Sequence, residues 1–300
     1  MKYTENSKAT QSGMTLIELS VVLLVMVGLA GVAVPYVAGM ADKAHDSTTA
    51  STINTLNQAI AKFKSDHNAM PERLETLTDA SGNIIDYLLS DVNYSGLSIL
   101  STTDSNTDAD PANVILSLKR AGMSDVYTNK SSTALTAAEA FGQGNRTFNA
   151  ADAKVSLDAA TAPTFVYVQS SNMWGPSPIS SVKGHLAYAF GGNPDDYDQS
   201  CYSYVAMGVG DNSELIGKGL QTAPTIFVPN ADLGPEKRYG RFLAVFKVQS
   251  VTNGTLDNNG GPCPDQIQPA EFLGVVADMD YGALVGAKAS QQWSTSSARQ

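Results

Sequence analysis

The sequence predicts an α+β protein in which one long N-terminal helix packs on a largely antiparallel sheet. Three observations carry that expectation. From Leu19 to Ala41 no residue is charged, and the run passes into an amphipathic stretch that ends at Pro71. From Thr164 the texture changes to β-branched and aromatic runs bounded by Gly, Pro and Asn, which read as strands. No strongly helical segment interrupts those runs, and strands in series after a helix favour an antiparallel sheet over alternating βαβ units.

The first element follows a polar stretch, residues 1–13, and begins S-G-M-T-L-I-E-L-S-V-V-L-L-V-M-V-G-L-A-G-V-A-V-P at Ser12. Roughly 20 apolar residues suffice for a helix to cross a bilayer, so a membrane segment is expected over about 14–41. Three readings compete. Gly31-Val32-Ala33 offers a small-residue site for a cleaved secretory signal, a plain signal anchor needs only the apolar run, and the third reading gives Glu18 a role. An ionised carboxylate in hydrocarbon costs on the order of a few kcal/mol, so an acid inside a span points to function. No cation lies within a helical turn or two of it in the chain. Cutting the chain before Met14 would supply one, because the new α-amino group would lie four residues away at the helix start. A negative charge there also meets the helix dipole favourably.

Gly13 followed by Met14-Thr15-Leu16-Ile17-Glu18-Leu19, then an apolar run broken by Pro35, resembles the class III signal of type IV pilins and type II secretion pseudopilins. The motif covers about 25 residues, and its glycine, glutamate offset, apolar run and proline all agree. The resemblance implies that a prepilin peptidase cuts after Gly13 and methylates Met14. It also implies that Glu18 pairs with the N-terminal amine of a neighbouring subunit. Met14 departs from the commonest branch, which has phenylalanine there, and with the 13-residue leader it leans toward a type IVb-like subunit. The family's partners would follow: other pilins in a homo-oligomeric filament, the peptidase and an inner-membrane assembly platform. The chain would cross the bacterial inner membrane once, with its N-terminus cytoplasmic, before entering a periplasmic pseudopilus or an extracellular pilus. The expected function is a structural subunit of a type IV pilus. The alternative is a minor pilin, or a secretion or competence pseudopilin, with a binding or tip role. In the family the segment up to the proline can loosen on assembly, which here would involve Gly28, Gly31 and Pro35.

Past the apolar run, Ile53, Leu56, Ile60 and Phe63 recur at 3, 4 and 3 residues, one stripe of an amphipathic helix. Pro71 ends it, having no donor for a further turn. A helix over 14–67 would be roughly 80 Å long and would precede a globular head over 68–300. The resemblance adds a turn and a small second helix after Pro71. Further helices are read at Ile84–Leu89, at Pro111–Gly122 with a proline start and a glycine stop, and at Ala134–Phe141. Strands are read at Thr164–Gln169, His185–Phe190, Tyr202–Val209, Thr225–Val228, Arg241–Val251 and Glu271–Ala277. Family heads are often smaller, so insertions are expected between about 80 and 160.

Chemistry is sparse. There is no phosphate-binding Gly-rich loop with Lys-Ser/Thr, no H-E-x-x-H and no G-x-S-x-G. His45, His67 and His185 are placed for surface or capping roles, with no nucleophile beside them, so no enzyme is expected. A net charge of −10 argues against nucleic acid, whose recognition needs a basic footprint. Asp104, Asn106, Asp108 and Asp110 have the alternating oxygen spacing of the first half of a Ca²⁺ loop but lack its glycine and bidentate glutamate. Asn193–Asp198 and Leu256–Gly260 are further acidic candidates, and some family members hold calcium in this region. Cys201 and Cys263 are the two cysteines. They form one disulfide if the chain leaves the cytoplasm and are free thiols if it does not. The family commonly staples its C-terminal region this way, which here would bound 201–263. The chain-entropy relation gives about 4 kcal/mol for a loop of this length.

Overall fold

In the computed structural model the described residues are 15–79, 81–85, 97–99, 110–129, 153–158, 163–168, 181–225, 241–252 and 261–277. The chain divides into two compact units, Met1–His45 and Asp46–Gln300. Helix α1, Leu16–His67, runs through both.

In the first unit the described side chains run unbroken over 15–31, and every one is exposed. Among the described residues no helix is long and apolar enough to cross a membrane. The span expected over about 14–41 begins at a residue outside the described set, as do its side chains at 32, 34–39 and 41.

The second unit is α+β, as expected, and its sheet is largely antiparallel. Its strands are β1 (Glu75–Asp79), β2 (Leu97–Ile99), β3 (Asp125–Asn129), β4 (Ala153–Ser156), β5 (Val166–Val168), β6 (Tyr202–Gly208), β7 (Leu243–Gln249) and β8 (Glu271–Val276). Among the described residues two short helices join them, α2 (Pro111–Arg120) and α3 (Val182–Phe190). β7 pairs with β6 on one edge and β8 on the other. Beyond β6 the sheet forks: β5 pairs at Val205 and Ala206, and β1 at Gly208. β5 continues to β2, and β1 to β3 and then β4. β1 and β3 are parallel, which requires a crossover, and α2 lies within it.

Alternation along β6 and β7 sends side chains to two cores. On one face Val205, Met207, Ala244, Phe246 and Val248 meet Leu56, Ile60 and Phe63 of α1 with Val114 and Leu118 of α2. On the other, Tyr204, Ala206, Leu243 and Val245 meet Val182 and Leu186 of α3. The central strands are therefore buried on both sides, which is why they read as unbroken apolar runs. The stripe inferred for α1 is the one that is buried.

Several elements differ from the sequence reading. His185–Phe190 is helix, because Ser181 caps it by accepting from Gly184 N at 3.1 Å and Gly191 closes it at φ 89°. Its buried residues Val182, His185 and Leu186 fall at helical spacing. The strands are thus interrupted by a helix. After Pro71 the chain enters β1 rather than a small helix. Ile84 forms an isolated bridge with Thr78 and Ile85 donates to Leu77 O at 3.2 Å, so the start of Ile84–Leu89 pairs instead of coiling. The readings at 86–89, 134–141 and 226–228 lie outside the described residues, as does most of the span 80–160.

Within β1 the register shifts between Glu75 and Asp79, and the fully buried Leu77 has φ 63°. A bulky residue adopts that conformation only when its surroundings impose it. Thr76 Oγ1 and Thr78 Oγ1 share a 2.8 Å hydrogen bond, and Thr78 Oγ1 donates to Thr164 O at 3.0 Å. The stop of α2 is equally constrained. Gly122 has φ 92°, and a Cβ there would lie 2.4 Å from Ala69 Cβ, while Met70 N donates to Ala121 O at 2.8 Å.

Candidate functional site

Thr15 and Glu18 form a reciprocal cap at the start of α1. Thr15 N and Thr15 Oγ1 each donate to Glu18 Oε2 at 2.9 Å, and Glu18 N donates to Thr15 Oγ1 at 3.3 Å. Thr15 O accepts from Leu19 N at 3.1 Å, so Thr15 is the N-cap and Glu18 the third helical residue, a capping box. The carboxylate therefore has a partner within its own chain, a neutral one, although no cation lies near it in the sequence. The signal was legible as T-x-x-E before an apolar run. Gly13 and Met14 lie outside the described residues.

Beyond the cap the helix surface is apolar on every side. Val21 to Val27 are consecutive exposed residues, with Leu24 at 76% and Val27 at 71%. Cβ atoms placed at Gly28 and Gly31 would meet nothing within 4 Å. Seven consecutive apolar residues cover all faces of a helix.

In the second unit Cys201 and Cys263 are disulfide-bonded, with Cα atoms 5.4 Å apart and both residues buried. Cys201 O accepts from Ser250 N at 3.0 Å and Val251 N at 3.2 Å, which ties the bridge to the end of β7.

The acidic candidates separate. Asp110 is the N-cap of α2, its Oδ1 accepting from Ala112 N at 2.8 Å, a structural role that accounts for its carboxylate. Asp104, Asn106 and Asp108, like all of 256–260, lie outside the described residues. At Asn193–Asp198 the side chains serve local structure: Asn193 Oδ1 accepts from Asp195 N at 3.2 Å and Asp196 Oδ2 from Asn193 N at 3.0 Å. Among the described residues no group of acidic, His or Cys side chains is arranged to hold a metal.

The histidines have distinct surroundings. His67 stacks on Phe63 with ring centroids 4.2 Å apart, and its Nδ1 lies 3.1 Å from Phe63 O in the last turn of α1. His185, expected at the surface, is instead buried in α3, and burial pushes its pKa below the ordinary value. The side chain of His45 is outside the described set. Among the described residues the most buried ion pair is made by Arg241, almost fully buried, which donates to Asp211 Oδ2 at 2.7 Å and to Ala223 O at 2.9 Å. Asp211 Oδ1 in turn accepts from Ala223 N at 3.2 Å. These bonds close the loop over 211–223.

Compared with protein-family models, curated proteins and solved structures, the chain matches none.

Proposed function

We propose that this protein is a structural subunit of a type IV pilus, type IVb-like, built into a filament through its N-terminal helix. The observation that carries the reading is the start of α1, where a carboxylate stands in the first turn and the described side chains over 15–31 are all exposed. It follows directly on Gly13-Met14. An apolar helical surface such as that over 21–27 needs lipid before assembly and neighbouring helices afterwards. In the membrane the Thr15 cap satisfies part of the carboxylate, and in the filament the amine of a neighbouring Met14 supplies the opposite charge. The antiparallel sheet packed on the second half of α1, and the disulfide near its C-terminal strand, fit the pilin plan. Retention of Glu18 favours a body subunit over a tip pseudopilin. Its partners are then other pilins, a prepilin peptidase and the inner-membrane assembly platform.

Gly13→Leu tests the reading. A bulky residue at the cut should block processing, so the full-length chain accumulates in the membrane and surface filaments lack it. Normal shortening of the Gly13→Leu chain would refute peptidase recognition at this glycine.

A further inference from the structure

Between Gly261 and Ala270 the chain forms no helix and, apart from a single β-bridge residue at Pro262, no strand, yet Cys263, Ile267 and Ala270 are buried. Irregular backbone in such a position must find polar partners outside a ladder. Gln249, the last residue of β7 and itself 1% exposed, supplies several. Its Nε2 donates to Pro264 O at 2.7 Å and to Val251 O at 3.0 Å, and its Oε1 accepts from Gln268 N at 2.7 Å. Ser117, fully buried on α2, completes the set. Its Oγ donates to Gln268 O at 2.8 Å, and its carbonyl accepts from Ala270 N at 2.9 Å. The two residues also support each other, since Ser117 Oγ accepts from Gln249 N at 3.3 Å. Arg120 adds a donor to Ile267 O. Five hydrogen bonds from three side chains and one carbonyl thus fall on this one segment. The disulfide touches it only near one end, at Cys263.

We infer that Gly261–Ala270 is a strap with two independent fastenings, and that the Gln249–Ser117 clamp keeps it docked whether or not the disulfide is present. The clamp acts on Pro264, Gln268 and Ala270, all beyond Cys263, and opening it would leave Gln249 and Ser117 buried without their partners. Cys201 and Cys263 therefore come to rest side by side as a result of docking. The bridge then limits how far the strap can travel once the clamp opens, and the closed arrangement survives its removal. The head is in this way complete before oxidation and tolerant of reducing surroundings. The inference concerns the head alone and does not depend on filament assembly.

Hydrogen exchange of the full-length chain in detergent micelles tests it, read at the Gln268 and Ala270 amides. In a Cys201→Ala/Cys263→Ala variant these amides should stay within about tenfold of wild-type protection, because local opening rather than the bridge sets their rate. Adding Gln249→Leu to that variant should lower their protection by at least about a hundredfold, with β6 and β7 amides unchanged. If Gln249→Leu also loosens β6 and β7, Ser117→Ala replaces it, removing the Oγ bonds with little change in volume. Free exchange at Gln268 and Ala270 in the cysteine-free variant alone would overturn the inference. So would full protection after both the clamp and the bridge are removed.

Discussion

Glu18→Gln protein is expected to insert into the membrane as well as the wild type, to be cut after Gly13, and to be largely missing from surface filaments. The substitution separates two roles of this side chain. Gln at the third helical position still completes a capping box, so the bond from Thr15 N to the side chain at 18 has an acceptor and the helix start is kept. Only the charge is lost. Removing a charge lowers the cost of the span, so insertion cannot be what suffers. Incorporation should fall at least about tenfold, which corresponds to loss of roughly 1.4 kcal/mol of attraction for a neighbouring amine. Thr15→Ala is the complementary variant. It removes the Oγ1 bonds to Glu18 and keeps the charge, so assembly should persist despite a weaker cap. Wild-type incorporation of Glu18→Gln would reduce Glu18 to a helix cap.

The second large effect is expected in the core of the head. Phe246→Ala should destabilise the unit Asp46–Gln300 by about 3–5 kcal/mol, the usual cost of truncating a buried aromatic ring. Phe246 is fully buried, pairs with Val205 on β6 and Phe272 on β8, and its ring centroid lies 5.6 Å from that of Phe272 at 53°. Its neighbours include Leu56 and Ile60 of α1, so the vacated space borders both the sheet and the helix and cannot collapse from one side. Urea unfolding of the Asp46–Gln300 unit, expressed alone, measures the change. A loss below about 1 kcal/mol, typical of a surface position, would contradict the packing described for this face.

What the sequence disclosed follows from where the determinants of each element lie. The second half of α1 was legible because Ile53, Leu56, Ile60 and Phe63 mark one face at helical spacing. β6, β7 and β8 were legible as apolar runs, since burial on both faces of the inner strands leaves little place for polar residues. β1, β3 and β4 escaped because E-T-L-T-D, D-V-Y-T-N and A-K-V-S are short and half polar. Their extended form comes from strand pairing, which local preference does not encode. α3 was misread because H-L-A-Y-A-F alternates like a strand, although Ser181 and Gly191 marked its two ends. At the candidate site, Glu18 stood out because a carboxylate is conspicuous in an apolar run. Thr15 is less conspicuous because it is uncharged and its role is to cap the helix. The cysteines could be paired only conditionally, since their state depends on compartment. Gln249 and Ser117 gave no sequence signal, because their partners are backbone groups brought near only by the tertiary fold.

The central claim is that the chain is a processed filament subunit, and the mass of its native N-terminal peptide tests it most directly. The account predicts a mature chain that begins at methylated Met14. Loss of residues 1–13 removes Lys2, Lys8 and Glu5 and so makes the net charge one unit more negative than −10. An intact Met1, or a terminus at Val34 following Gly31-Val32-Ala33, would contradict it.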